Sequence, residues 1–509
     1  MFKFAQTCEA IAATTKKLQK TAIVAEYLKT RTADEAAVSA VFLSGRAFAA
    51  WEETTLQVGG SLLWRIVAEL AEKEEGTLTA AYRKHGDLGS AAADVLPERA
   101  HQGLKILEVQ EAFRQVANAR GPTAKSALVR ELLAQATPRE AKYIVKIITG
   151  DLRIGLKESL VEEAITKAYR GALADVQRAN MLLGDIGETL RLAAEGQLEH
   201  ARMRMFHPIG FMLASPIDTT DDALTYFSSA IIEDKYDGIR AQAHVSNGEV
   251  KFFSRTRDEI TESFPELPGA FVGLRGCAIL DGEIVAWDYP KNLVQTREVV
   301  DEPPSDSSET RAEKLGSARP FSILQQRLGR KKVSEKMLRE IPVAYLAFDV
   351  LYADGELLID RPLRERMQIL DDLLTMENHK HRGRAEAREK IGTQRNLMFD
   401  GGEEILEGSV IRAPAFRAAT PEELEELFVA ARAHGNEGLM IKDAASTYTP
   451  GKRGKSWLKM KRELATLDVV VTAVEYGHGR RIGVLSDYTF AVWDADKTKL
   501  VNIGKAYSG

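Results

Sequence analysis

Lys235, in the stretch Glu233-Asp-Lys-Tyr-Asp-Gly-Ile-Arg240, is the residue around which the chemistry of this 509-residue chain can be organised. A lysine amine of ordinary pKa, about 10.4, is an ammonium at neutral pH. It attacks an electrophile only when burial, neighbouring cations or a bound metal removes its proton. Asp237 and Gly238 read as a tight turn that leaves Lys235 facing a cleft, because aspartate bonds to the backbone beyond it and glycine accepts positive φ. Four residues of the form Lys-x-Asp-Gly equally suit a surface hairpin with solvated charges, so the weight falls on the residues downstream of them.

Ala241–Val245 and Val250–Arg255 alternate across Asn247-Gly248, a hairpin that ends in Ser254-Arg255-Thr256-Arg257. A guanidinium there can grip phosphate or sugar oxygens with a fixed fork. In Cys277-Ala-Ile-Leu-Asp-Gly-Glu-Ile-Val-Ala286, Asp281 and Glu283 fall on one strand face, where burying carboxylates is costly unless a metal, ribose hydroxyls or cations compensate. From Lys442 to Arg462 seven cations stand against one acid, Asp443. Such a run is ordinarily a solvated face, but Trp457-Leu-Lys-Met-Lys461 places Lys459 and Lys461 side by side, and two parallel ammonium groups suit a triphosphate.

Taken in order, these stretches resemble the ATP-dependent DNA ligases, members of the covalent nucleotidyltransferases that also include RNA ligases and messenger-RNA capping enzymes. The resemblance covers most of the chain. It implies that Lys235 attacks the α-phosphorus of ATP and carries AMP, and that ATP is held by Glu233, Arg240, Arg255, Glu283, Phe348, Lys442, Arg453, Lys459 and Lys461. Arg255 is favoured over Arg257, which suits a solvated role. Glu283 is the functional carboxylate of its strand, with Asp281 serving the turn at Gly282. Phe348, in Phe348-Asp-Val-Leu-Tyr352, would lie on the adenine face, although out of context it reads as a core aromatic. Glu283 and Glu437 would hold Mg²⁺. Glu437 and Lys442 are five positions apart, so strand alternation does not bring them to one face and their convergence rests on the resemblance alone.

The elements that must position these groups follow from the rest of the chain. A chain of 509 residues exceeds one hydrophobic core and should form two to four domains. Residues 1–205 read as helical, with apolar residues at three-to-four spacing in Leu62–Leu70 and Ile106–Phe113. Thr137-Pro-Arg-Glu140 is a capping box that starts a helix, which Gly150 ends. Thr149-Gly-Asp-Leu-Arg-Ile-Gly-Leu156 resembles a tract in the family's DNA-binding domain, where Arg153 and Lys157 would hold phosphates; a helix connector with a solvated arginine is the alternative. The prolines and glycine in Met205–Pro216 mark the start of a second domain, 206–462, which the resemblance makes the adenylation domain, of α+β nucleotidyltransferase (ATP-grasp-like) fold. Within it, Val300–Glu309 has the composition of a mobile insertion, Phe321–Arg327 restarts a helix, and Thr420-Pro-Glu-Glu423 caps another.

From Leu467 short strands suggest the opening of an OB-fold β-barrel, residues 463–509. Gly477–Gly483 there is a basic glycine turn, suited either to phosphate or to an ordinary hairpin. At Gly509 such a barrel should still have strands to come, and the basic motif that closes the family's barrel has no match. By the resemblance, this form is impaired in self-adenylation yet keeps its ATP pocket.

Composition sets outer limits. A net charge of −5 excludes a uniformly basic nucleic-acid coat and makes any polyanion site local. Cys8 and Cys277 cannot build a four-cysteine zinc site, which disfavours an NAD-dependent ligase, and they suggest a reducing interior. No run of about 18 apolar residues is present, so the expectation is a protein of the cell interior that does not span a membrane; the resemblance implies a monomer, cytoplasmic and nucleoid-associated in a prokaryote, acting on nicked double-stranded DNA. An RNA ligase or capping enzyme would share Lys235 but not the large helical front. A non-catalytic DNA clamp would have no use for Lys235, Arg255, Glu283, Glu437 and Lys459 together.

Overall fold

The computed structural model describes all residues except 53, 75, 272–273, 275, 290–315, 329–332, 375–407, 462–466, 478–482 and 508–509. The chain divides into two compact units, Met1–Arg202 with Leu464–Gly509, and Met203–Glu463. The expected insertion Val300–Glu309 lies outside the described residues.

In the first unit, helices from Phe2–Ala12 to Ile186–Glu195 share one apolar core that buries Phe4, Phe42, Phe113 and Tyr143. Both expected periodicities are helices, Gly60–Ala71 and Ile106–Asn118, each with its apolar stripe turned inward. The capping box at Thr137 forms as expected. Thr137 Oγ1 accepts the Glu140 N–H at 3.3 Å and the Glu140 carboxylate accepts the Thr137 N–H at 2.9 Å, so two donors left over at the helix start are satisfied reciprocally. Gly150, at φ +67°, follows the last turn of that helix.

The second unit carries two sheets. Its strands are β1 (Leu213–Ile217), β2 (Ala230–Lys235), β3 (Ile239–Ser246), β4 (Glu249–Ser254), β5 (Ala278–Asp288), β6 (Ser317–Ala318), β7 (Val343–Ala353), β8 (Glu356–Leu357), β9 (Ser409–Arg412), β10 (Ala415–Phe416), β11 (Gly438–Asp443) and β12 (Arg453–Met460). One sheet has the order β1-β12-β11-β2-β10; the other runs β4-β3-β5-β7-β8, with β6 beside β5 and β9 beside β7. The hairpin expected at Asn247-Gly248 joins β3 to β4, and both turn residues have positive φ, +51° and +85°.

Alternation sorts the residues of each sheet. In the first, Ile232, Leu439, Ile441, Leu458 and Met460 point to a core completed by Leu424 and Phe428 of the helix Pro421–Ala433, which Thr420 caps. In the second, Ala241, Ala243, Leu280, Ile284 and Tyr345 build a core with Phe252 and Phe271. The opposite faces hold the residues of chemical interest. In the first unit, β13 (Val470–Tyr476), β14 (Leu485–Trp493) and β15 (Leu500–Tyr507) form an antiparallel meander. The glycine turn Gly477–Gly483 lies mostly outside the described residues.

Candidate active site

The register places Glu233 opposite Met440, Lys442 opposite Ile231 and Trp457, and Lys459 opposite Met440. Glu233, Lys235, Lys442, Trp457 and Lys459 therefore share the face of β2-β11-β12 turned away from its apolar core. Arg240 stands opposite Glu283 in the second sheet, and Asp281, Glu283 and Phe348 lie on its non-core face. The two faces meet through their side chains. Lys442 Nζ is 4.4 Å from the centroid of the Phe348 ring and 4.3 Å from that of Trp457, and the Arg240 guanidinium carbon is 5.5 Å from each ring.

Lys235 ends β2, with its side chain 21% exposed and Nζ 2.6 Å from a carboxylate oxygen of Glu437. Lys461 pairs with that same carboxylate. Alternation had left Glu437 on the wrong face, and Gly438 accounts for its return. At φ +149° this residue breaks the strand pattern, and a Cβ on it would stand 2.1 Å from the Met460 carbonyl oxygen. The Glu437 N–H also donates to the Lys235 carbonyl at 2.8 Å.

Gly238 follows a different rule from the one expected. Its φ is not positive; the backbone passes so close to β5 that a Cβ would lie 2.4 Å from the Ile284 carbonyl oxygen and 2.9 Å from Glu283 Cγ. The glycine is demanded by close approach, which presses the Lys235 loop onto Glu283.

Asp281 also departs from its expected role. No turn occurs at Gly282, which lies inside β5 and leaves room for the Tyr345 ring, 2.5 Å from where a Cβ would be. Asp281 is fully buried and accepts two hydrogen bonds from Arg240, at 3.1 and 2.7 Å, and one from the Tyr448 hydroxyl at 2.7 Å. Arg240 is held charged by this neighbour although its burial works the other way.

The electrostatics bind the remaining groups to one place. Burial lowers the pKa of Lys459 first, and the positive charges of Lys461, Arg453, Lys235 and Arg255 lower it further, so all five cations bear on one small volume. Arg255 and Arg453 are exposed. Burial pushes the Glu283 carboxyl up to about 8 despite Arg240 and Lys235 nearby. Burial alone would raise Glu437 as well, but hydrogen bonds from Lys235 and Lys461 outweigh it and hold that carboxyl at about 2. Asp237 is raised by burial and by the adjacent Glu437. Glu233 is buried and pairs with Lys442 through Oε2, while its Oε1 accepts no hydrogen bond among the described residues.

In the first unit, Arg153 and Lys157 lie between the helices Pro138–Ile148 and Glu158–Tyr169. The Arg153 guanidinium is engaged internally, by Asp151 and by the Gly86 carbonyl at 2.7 Å, and its backbone has φ +50°. Lys157 is exposed at the start of the second of these helices.

Comparison with known proteins places this arrangement. Residues 211–461 match the ATP dependent DNA ligase domain and residues 1–166 match the DNA ligase N terminus. A probable DNA ligase of Koribacter versatilis (strain Ellin345) is 56% identical over 514 residues, covering 99% of this chain and 82% of that protein. A DNA ligase of Methanopyrus kandleri is 31% identical over 520 residues, covering 99% of this chain and 84% of that protein. Among solved structures, Pmar-Lig_PreS3 has a TM-score of 0.54 at 16% identity, over 100% of this chain and 88% of that one, a likeness of fold. The chain belongs to the ATP-dependent DNA ligases. It is an enzyme that joins DNA with ATP and, as a member of this family, binds nicked DNA.

Sequence reasoning missed Tyr448 and the role of Asp281. The same-face spacing with Glu283 was the available signal for Asp281. Tyr448, 167 positions further along, offered none.

Proposed function

We propose that this ligase seals nicks in duplex DNA through an AMP bound covalently to Lys235. The carrying observation is that Lys235 and Lys461 share the Glu437 carboxylate, on the sheet face that also carries Lys459 and Lys442, where the charges of Lys461, Arg453, Lys235 and Arg255 all act on Lys459. Glu233, Arg240, Phe348 and Lys442 form the nucleoside end. Phe348 and Trp457 present aromatic surface, and the unpaired oxygen of Glu233 is an acceptor for a donor on the base. Lys459, Lys461, Arg453 and Arg255 face the phosphates.

Glu283 and Glu437 fit Mg²⁺. Among the described residues no set of three or more ligating side chains gathers, but two carboxylates suit an ion that completes its shell with phosphate oxygens and water. The Glu283 carboxyl, raised by burial beyond what Arg240 and Lys235 offset, points the same way. When bound, the ion would add positive charge against the phosphates.

The protein's own part is alignment and charge. The Lys235 amine gives up a proton, its lone pair forms the N–P bond, the bond from the α-phosphorus to the bridging oxygen breaks, and pyrophosphate leaves with that electron pair. A second proton leaves the nitrogen, with Glu437 and Asp237 nearby as acceptors. The 5′-phosphate of the nick then takes the AMP, and the 3′-hydroxyl displaces it. The helical residues 1–205 would hold duplex phosphates, through the exposed Lys157 and through Arg153 once it leaves Asp151 and the Gly86 carbonyl, residues 206–462 form the adenylation domain, and the β13-β14-β15 meander reads as the opening of an OB barrel.

Incubation with α-labelled ATP and magnesium should label the wild-type chain and leave Lys235→Ala unlabelled. Label on the Ala variant at wild-type stoichiometry would overturn the assignment of Lys235.

A further inference from the structure

Arg240 belongs to a closed circuit of hydrogen bonds that extends beyond the strands of the site. It donates to both oxygens of Asp281 and, through Nη1, to the Met212 carbonyl at 2.6 Å. The Met212 N–H donates to the Tyr448 hydroxyl at 3.1 Å, and that hydroxyl donates to Asp281 Oδ2 at 2.7 Å. One residue, Met212, thus supplies both the backbone donor and the backbone acceptor that close the ring.

The rest of the segment leading into β1 is strapped to the same face of β3. Gln242 accepts the Ile209 N–H at 3.1 Å and donates to the Ile209 carbonyl at 2.8 Å, and His244 Nδ1 accepts the Phe206 N–H at 3.0 Å. The Phe211 ring lies 4.9 Å from the guanidinium carbon of Arg240.

We infer that Tyr448 is a positioning residue for ATP binding, fixing the plane of the Arg240 guanidinium through Asp281 and tying it to the Met212 backbone. A bidentate pair by itself leaves the carboxylate free to turn about its last bond, carrying the guanidinium with it. The phenol pins Oδ2, so the turn is blocked and Arg240 keeps one orientation against Phe211. Tyr448 is itself immobile: it is 2% exposed, its ring meets Trp457 edge-on at 5.8 Å, and its N–H donates to the Ile359 carbonyl at 2.8 Å. The inference rests on Arg240 being a nucleotide ligand, and the test separates the two.

Tyr448→Phe, Arg240→Lys and the double variant are made in the full chain. Binding of a non-hydrolysable ATP analogue is measured by calorimetry, and lysine labelling is followed against ATP concentration, well below each variant's melting midpoint. Tyr448→Phe should weaken analogue binding and raise the ATP KM about tenfold, the scale of one hydrogen bond to a charged group, with the labelling rate at saturating ATP within about twofold of wild type. The double variant should be no weaker than Arg240→Lys. If Arg240→Lys weakens binding while Tyr448→Phe does not, or the two losses add, the positioning role is wrong and the Arg240 reading stands. If Arg240→Lys binds as wild type does, both fall. A Tyr448→Phe chain lacking a cooperative melt also overturns the inference, because the hydroxyl would then be a requirement of folding.

Discussion

Lys235 and Glu437 form an ion pair 2.6 Å long at the centre of the site. Glu283 is the counterpart that lacks a full charge partner, and it makes stability depend on pH. Its carboxyl is raised from 4.5 to about 8 in the folded chain. The folded state thus holds the proton more tightly than the unfolded one, so this contribution is full below pH 4.5 and is lost as pH rises through 8. Glu283→Gln, neutral at every pH, should melt close to wild type at the acid end and above it at the alkaline end. Each kcal/mol of difference amounts to about 2–4 °C for a unit of this size. Melting curves across that range check it; a constant difference between the two proteins would contradict a raised Glu283.

At the scale of elements, the site depends on two sheets whose apolar faces are buried separately, leaving their polar faces to meet. Strand alternation brings Glu233, Lys235, Lys442 and Lys459 together, whereas Glu437 joins them only because Gly438 breaks the pattern. Gly438→Ala would add both a strained φ and an impossible contact with the Met460 carbonyl. The expected loss is on the order of 2–4 kcal/mol, a melting point lower by roughly 5–10 °C, together with loss of AMP labelling because Glu437 no longer meets Lys235. Calorimetric melting and labelling of the same sample measure both; an Ala variant with wild-type melting and labelling would remove Gly438 from the account. Gly282 and Gly238 show the same logic, since both are glycines because another chain segment occupies the Cβ position.

Over the whole molecule, a net charge of −5 coexists with five cations gathered at Lys459, so the polyanion site is a local feature of an acidic body. Every residue proposed to touch ATP lies within Met203–Glu463, a unit with its own apolar cores. Expressed alone, residues 203–463 should fold and keep the ATP pocket, take AMP on Lys235 no faster than the full chain, and bind nicked duplex at least about tenfold more weakly than the full chain. Labelling and gel-shift titration on both proteins test this. Undiminished nick affinity in the fragment would mean that the helical unit adds nothing to DNA binding. No helix among the described residues is long and apolar enough to cross a membrane.

The sequence by itself determined the local elements: the Thr137 capping box, the Asn247-Gly248 hairpin and the alternating strands that carry Lys235, Glu283 and Lys459, because each depends on neighbours a few positions away. It also carried the family, through short motifs kept in order. Tertiary structure alone decided why Gly238 and Gly282 are glycines, how Glu437 reaches Lys235, and that Asp281 grips Arg240 and Tyr448 rather than serving a turn. Those facts are contacts between segments tens to hundreds of residues apart, and strand period has no information about which distant backbone will pass within van der Waals reach.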